Sequence, residues 1–460
     1  MINLRNFSRE LLLVCKTKGK NGMGPNRKHL KGIKVSHNKT TAESETETMP
    51  VPPMVYISMT QHIGVPCRPL VDAGNKVKVG QMIGDSDAFL SVPIHSGVSG
   101  TVEEIGGFRS VTGGEDKAVV IKCDRKQEIS EEVKPPEVKD REEFIRAIRA
   151  SGLVGLGGAA FPTHIKFDPK NLDEVDTLIV NGAECEPFIT SDYRSMMEDT
   201  DDIIEGIRLI MKYLEISKAY IGIEENKPDA ISLLKDKIET QEIKNVEVVT
   251  LKASYPQGAE RVLIYEITGK KMPAGMLPAE RGVIVSNVTT TAFVGQYFRT
   301  GMPLVSKRIT VDGSAVRTPK NIRVPVGTLI DNVIDFCGGF RGKPGKIIMG
   351  GPMMGRSIFS ERLPIVKNNN AILAFTGRQA VIPDETACIN CGRCARACPF
   401  SLLPYALTRA YDRKDVKELK RLQVMECMEC GSCAYVCPAR KPLAFTNKIG
   451  KTMVKEASSK

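Results

Sequence analysis

Tryptophan is absent from this chain of 460 residues, and aromatic side chains make up only 5% of it. That argues against a nucleic-acid groove, which needs basic side chains interleaved with stacking platforms. Long hydrophobic runs are missing as well. No segment approaches the ~18 apolar residues that read as a membrane span, and the apolar stretch at Leu11-Leu12-Leu13-Val14-Cys15 ends within a few positions. Lysines follow it rather than a small-residue cleavage site, so the layout is not secretory and a cytoplasmic location is expected. The five histidines are scattered, without a serine and a carboxylate around any of them. No protein nucleophile is expected, and any chemistry has to come from cofactors.

The formal net charge of +11 is unevenly placed. Residues 1–40 hold ten Lys/Arg against one acid and residues 388–460 hold fourteen against six, which leaves the middle of the chain at −6. Two basic ends read first as solvated tails. They also suit an anionic membrane surface or an acidic electron-transfer partner.

Eight of the thirteen cysteines fall in two copies of one pattern. Cys388-x2-Cys391-x2-Cys394-x3-Cys398-Pro399 recurs 39 positions later as Cys427-x2-Cys430-x2-Cys433-x3-Cys437-Pro438. Zinc would explain two Cys-x2-Cys pairs, but not a third and fourth cysteine with a following proline in duplicate. The pattern resembles the ferredoxin spacing for two [4Fe–4S] clusters, in which each run's fourth cysteine serves the other cluster. That resemblance pairs Cys388, Cys391 and Cys394 with Cys437, and Cys427, Cys430 and Cys433 with Cys398. Labile thiolates of this kind belong in a reducing compartment. Most of the remaining five (Cys15, Cys67, Cys123, Cys185, Cys337) read as buried small hydrophobes.

Composition shifts divide the chain. Residues 1–48 read as a basic, loosely structured extension ending in a polar run. Residues 49–130 carry short alternating strands with Gly and Pro punctuation. This part resembles the flattened barrel-sandwich of lipoyl and biotinyl carriers, but Asp85–Leu90, where a carrier has its modified lysine, contains none, so no lipoylation is expected. Residues 138–300 alternate helix and strand patterns, which argues a Rossmann-like α/β domain with a parallel sheet. Residues 305–368 suggest a β-grasp domain of the soluble-ligand-binding (SLBB) type, residues 371–445 a helical dicluster domain, and residues 446–460 a C-terminal tail.

The α/β part holds a second motif. Gly155, Gly157 and Gly158 lie in one short loop, whose backbone can press against a phosphate or a flat ring with its N–H groups forward. Asn181-Gly-Ala-Glu184-Cys-Glu186-Pro187 follows the strand Thr177–Val180, at the end where α/β folds bind ligands. Glycine loops are often mere turns, and acidic turns are often solvated. Taken together, however, the loop through Phe161-Pro-Thr163 to Lys166, the acidic turn, Tyr255-Pro-Gln-Gly258-Ala-Glu260 and Asn287-Val-Thr-Thr290 resemble the NADH-oxidising flavoprotein subunit of respiratory complex I. Leu156, Ala160, His164 and Ala183 depart from that family's pattern. The resemblance implies non-covalent FMN held by Gly155, Gly157, Gly158, Lys166, Asn181, Glu184, Tyr255, Gly258, Glu260, Asn287 and Thr290, with Phe161 and Glu186 facing the nicotinamide of NADH.

The order of parts, with Gln61-His62-Ile-Gly64, Pro93-Ile-His95-Ser96 and Gly350-Gly-Pro-Met-Met-Gly355, is similar to the RnfC family. Its members belong to the Rnf complex, an ion-translocating ferredoxin:NAD oxidoreductase. Membership implies electron exchange between NAD(H) and ferredoxin through FMN and two [4Fe–4S] clusters. It also implies coupling to Na⁺ or H⁺ movement in the whole complex and docking on membrane subunits and an iron–sulfur subunit from the cytoplasmic side. A soluble cobalamin reductase, or an adaptor feeding an amino-acid reductase, uses related parts; the barrel's position ahead of the flavin domain favours the Rnf arrangement.

Overall fold

The computed structural model describes residues 29–110 and 113–459. Residues 1–28 of the expected loose extension lie outside the described residues, and for residues 31–48 that expectation is corrected. This segment is laced into the fold. Ile33 and Tyr255 exchange backbone hydrogen bonds of 2.9 Å each. Thr41 Oγ1 lies 2.6 Å from Thr190 Oγ1, and strand β1 (Thr46–Thr48) pairs in parallel with residues 321–323. Polar residues that look solvated in sequence instead answer groups far along the chain.

Seven strands then build the barrel: β2 (Met54–Ser58), β3 (Arg68–Pro69), β4 (Lys76–Val77), β5 (Met82–Asp85), β6 (Ile94–His95), β7 (Gly100–Arg109) and β8 (Glu115–Cys123). They form two antiparallel sheets, ordered β2-β8-β7-β4 and β3-β5-β6. Alternation in β2 and β8 sends Val55, Ile57, Val119 and Ile121 inward onto Ile83, Ile94 and Val102.

The α/β domain holds β9 (Thr177–Asn181), β10 (Lys218–Glu224), β11 (Val246–Leu251) and β12 (Val283–Asn287), all parallel in the order β11-β10-β9-β12. Strand β9 reads Thr-Leu-Ile-Val without alternation because helices cover both its faces. Helices Thr200–Tyr213 and Val288–Thr300 cross at glycines. A Cβ on Gly295 would sit 2.2 Å from the Asp202 carbonyl oxygen, and one on Gly206 would sit 2.0 Å from that of Thr291. This close crossing sets the start of the second helix, where Asn287 and Thr290 stand.

Strands β13 (Ser306–Asp312), β14 (Lys320–Pro325), β15 (Pro344–Met349), β16 (Arg356–Ile358) and β17 (Ala371–Thr376) join β1 in a six-stranded sheet, ordered β1-β14-β13-β17-β15-β16. The expected break between residues 368 and 371 is therefore corrected: β17 lies inside the β-grasp sheet, and the dicluster region follows it. Helices Pro404–Asp412 and Val416–Arg421 separate the two cysteine runs, as their periodicity predicts. The expected tail is a further correction. Residues 446–460 belong mostly to a helix, Leu443–Ser458, whose Leu443, Asn447, Gly450 and Val454 form a buried stripe against those two helices. Among the described residues, no helix is long and apolar enough to cross a membrane.

Gly295→Ala should destabilise the chain by about 1–3 kcal/mol, the usual cost of forcing atoms into a packed contact. Chemical denaturation of wild type and variant measures this, and an unchanged midpoint would mean that the helices do not meet as closely as described.

Candidate functional site

Several carbonyls of the loop after helix Arg141–Ala150 are held from other parts of the chain. Gly152 O accepts from Lys367 Nζ at 2.7 Å and Gly158 O from Asn368 Nδ2 at 2.5 Å, both donors lying just before β17. Ala160 O accepts from Ile63 N of the barrel at 3.0 Å. Lys307 Nζ reaches Leu156 O at 3.4 Å. Gly157, Gly158 and Ala159 are exposed, and among the described residues their N–H groups make no backbone hydrogen bond of ordinary geometry. Gly158 has φ +140°, and a Cβ built on it would meet nothing within 4 Å. An exposed turn with free donors and open space before it fits an anionic or planar group such as FMN.

Residues far apart in sequence converge on this turn because they end neighbouring strands. Asn181 and Asn287 are register partners at the carboxyl ends of β9 and β12. Asn287 Oδ1 caps its helix by accepting from Thr289 N at 3.0 Å and Thr290 N at 3.2 Å. Thr290 Oγ1 accepts from Leu156 N at 3.0 Å, tying the glycine loop to that helix. Asn181 Nδ2 donates to Gly258 O at 2.8 Å. Lys166 Nζ reaches Glu260 Oε1 and Val285 O, each at 2.8 Å. Half-buried Phe161 closes the loop, its carbonyl accepting from Gly155 N at 2.8 Å.

Three expected site residues are engaged elsewhere. Glu184 is buried, accepts from Asp192 N at 2.7 Å and lies 3.7 Å from Lys39 Nζ. Burial pushes its carboxyl up, with Lys39 opposing and Asp192 adding to the push. Lys39 also donates to the carbonyls of Glu184, Glu186 and Ile189, so this acidic turn is held together by the segment that reads as loose. The Glu186 carboxylate accepts from Met353 N at 3.0 Å and Met354 N at 2.9 Å, in the loop after β15. Tyr255 is 1% exposed, and its hydroxyl donates to Cys430 O at 2.6 Å, toward the iron-ligand region rather than the glycine turn. Lys39, Asp192, Lys367 and Asn368 escape a reading of the sequence, since nothing local marks a residue whose partner lies far along the chain.

Cys398, Cys427, Cys430 and Cys433 line one small cavity with Phe400, Met428 and Asn447. Cys437 packs beside Cys394. Among the described residues, no three His, Cys, Asp or Glu side chains converge closely enough for a single metal ion. A cubane asks for four thiolates set around a void, and that is the arrangement of this cavity. Burial pushes the thiols of Cys398, Cys427 and Cys433 up, so iron must displace protons to bind there. The dicluster region docks on the flavin-side domain through Arg261, which pairs with Glu426 at 2.5 Å and lies 4.0 Å over the Phe400 ring.

Four family models match the chain in the same order as these layers. They are the RnfC barrel sandwich hybrid domain over residues 28–126, the Nuo51 FMN-binding domain over 148–296, the SLBB domain over 308–357 and the 4Fe-4S dicluster domain over 380–438. The RnfC protein of the proton-translocating ferredoxin:NAD(+) oxidoreductase complex of Clostridium ljungdahlii is 44% identical, over 80% of this chain and 81% of that protein. The chain belongs to the RnfC family. Its counterpart in the Na(+)-translocating ferredoxin:NAD(+) oxidoreductase complex of Acetobacterium woodii is 40% identical, over 81% of this chain and 85% of its own length. The counterpart in the ion-translocating oxidoreductase complex of Rhodobacter capsulatus is 36% identical, over 83% and 74%. A crystal structure of an NAD+-reducing [NiFe]-hydrogenase in the H2-reduced state aligns with TM-score 0.50 and 18% identity, over 70% of this chain and 61% of that one. That likeness is one of fold. RnfC membership carries FMN and two [4Fe–4S] clusters as cofactors, and the free amides and the thiol-lined cavity fit both groups.

Filling the turn tests the flavin fit: Gly158→Val should weaken FMN binding at least tenfold by flavin-fluorescence titration while the far-ultraviolet dichroism stays unchanged. Behind the loop, His95 is pushed down to about 3 by burial and by Lys367, and His164 to about 4 by burial, Arg149 and His62. Both folded values lie below the ordinary imidazole value of ~6.5. The unfolded chain therefore binds protons that the fold refuses; stability is full above that value and drains as pH falls toward 4 and then 3. His95→Asn should flatten the melting-temperature profile between pH 6.5 and 4. A slope equal to wild type would show that His95 is already charged in the fold.

Proposed function

We propose that this chain is the peripheral electron-transfer subunit of a membrane-bound, ion-translocating ferredoxin:NAD⁺ oxidoreductase. The observation that carries the reading is a direct contact between its two redox regions, the 2.6 Å hydrogen bond from Tyr255 of the flavin-side domain to the carbonyl of Cys430. FMN is held by the glycine turn (Gly155, Gly157, Gly158), with Lys166, Asn181, Gly258, Glu260, Asn287 and Thr290 around it. NADH approaches on the Phe161 side. Glu184 and Glu186 shape this region through the backbone they order, and Tyr255 through the cysteine loop it holds. When bound, FMN supplies the exchange between a two-electron hydride and single electrons, and the clusters supply one-electron relay.

The residues impose an order on that relay. Cys427, Cys430, Cys433 and Cys398 surround the inner cluster, against the flavin-side domain. Cys388, Cys391, Cys394 and Cys437 hold the outer one, with Cys388 exposed. In the chain around Cys388, Val381, Ile382 and Ile389 are each at least 67% exposed, and Arg393, Arg396 and Arg409 are exposed as well. An apolar patch with a basic rim suits an acidic iron–sulfur subunit of the complex on the cytoplasmic face of the membrane. The division into barrel, flavin, β-grasp and dicluster domains is part of the same proposal, with the bounds moved to keep β1 and β17 in the β-grasp sheet.

Anaerobic titration of the cluster-loaded chain with NADH, followed by absorbance and low-temperature EPR, tests the reading. About eight irons and one FMN per chain are expected, with flavin bleaching ahead of the cluster signals. Bound FMN and iron that ignore NADH would overturn it in favour of an adaptor served by another donor.

A further inference from the structure

The two cysteine runs are duplicates in sequence but not in surroundings. Of the outer set Cys388 is exposed, Cys391 and Cys437 are half-buried and Cys394 alone is buried, whereas of the inner set Cys398, Cys430 and Cys433 are buried and Cys427 is half-buried. Burial opposes reduction of a [4Fe–4S] cluster, because the reduced form carries one more negative charge that water can no longer stabilise. Taken alone, burial would make the inner cluster a poor acceptor for electrons leaving the flavin.

Two buried donors answer that penalty. Asn447 is 1% exposed on helix Leu443–Ser458, and its Nδ2 lies 3.7 Å from Cys427 Sγ. Ser432 is 1% exposed, with Oγ 3.4 Å from Cys430 Sγ. Once Cys427 and Cys430 are thiolates they can only accept, so the amide and the hydroxyl become their donors. The positions 39 residues earlier hold Thr408 and exposed Arg393, and the amide that meets the first run, Asn390, turns its Oδ1 rather than its NH2 toward Cys388 Sγ at 3.8 Å, with that oxygen held by Arg409 at 3.0 Å. Asn447 is held in place by packing: Gly450, one turn on, lets the helix approach closely, a Cβ there lying 3.2 Å from Leu419 Cδ2. From the same helix Lys451 Nζ donates to Cys427 O at 2.9 Å, fixing the ligand loop beneath the amide. Added charge on a cluster is stabilised by donors to its sulfurs, and the potential rises with them.

We infer that Asn447 and Ser432 are positioning residues that raise the reduction potential of the inner cluster, and that the C-terminal helix exists to carry one of them. This rests on the reading of Cys427, Cys430, Cys433 and Cys398 as a cluster site. Iron and sulfide analysis of the full-length, anaerobically loaded chain separates the two: fewer than about eight irons would sink the cluster reading itself. With both clusters present, EPR-monitored redox titration resolves two reduction waves, and Cys388→Ser marks the outer one. Asn447→Leu should move only the inner wave to more negative potential, and the double variant with Ser432→Ala should move it further. Resonance Raman adds a readout that fold stability does not move: the Fe–S stretching bands should lose part of their D2O shift in Asn447→Leu. Should that variant shed its iron, Ser432→Ala alone must still displace the inner wave. Both waves unmoved, or both moving together, would overturn the inference.

Discussion

A glycine turn can aim its amides at a ligand only if its carbonyls are satisfied elsewhere, and here that task falls to other domains. Lys367 and Asn368, in the connection leading into β17, and Ile63 of the barrel hold Gly152 O, Gly158 O and Ala160 O. Lys367 is fully buried, and its ammonium also reaches Pro93 O at 2.8 Å. Burial lowers its pKa to about 7, a substantial desolvation cost accepted for the sake of two carbonyl bonds. The barrel thus has a structural occupation as one jaw of a clamp on the glycine loop. Because three domains share that clamp, none can move without changing the loop.

The same economy of long-range contacts joins the α/β domain to the cysteine cavity. The Arg261–Glu426 pair, the stacking of Arg261 over Phe400 and the Tyr255 hydrogen bond all fall between the flavin-side strands and the inner cysteine cavity. The loop after β15 adds a third side: its Met353 and Met354 amides hold Glu186, and a Cβ on Gly431 would lie 3.1 Å from Met353 O. The inner cysteines are thus braced by the flavin-side domain and by its β-grasp neighbour. Residues 381–390, with Cys388 among them, are exposed.

What is legible in the sequence is local. Cysteine spacing, the glycine turn and the strand-end asparagines are read within a few residues, and the strands and helices of the α/β domain follow from periodicity. Glu184, Glu186 and Tyr255 read as cofactor residues because their neighbours resemble a cofactor site. Within the chain they meet the Asp192 amide, the Met353 and Met354 amides, and the Cys430 carbonyl, supplied by other segments. The C-terminal helix passes for a tail because Lys448, Lys451 and Lys455 suggest solvation. The spacing of Leu443, Asn447, Gly450 and Val454 is the available signal, diluted by an asparagine and a glycine on the buried face. Strand β17 falls to the next domain on a linear reading because a crossover sheet takes its central strand from late in the chain.

Lys39 carries a consequence for the order of assembly. It leaves the ribosome well before its acceptors, which lie 145 to 150 residues further on, and β1 waits longer still for the strand at 321–323. Contacts of that separation close late, after the local hairpins and helices have formed. The opening segment is then a final stitch drawn over a nearly finished body. Until it is drawn, the turn from Asn181 to Pro187 lacks the side chain that gathers its carbonyls.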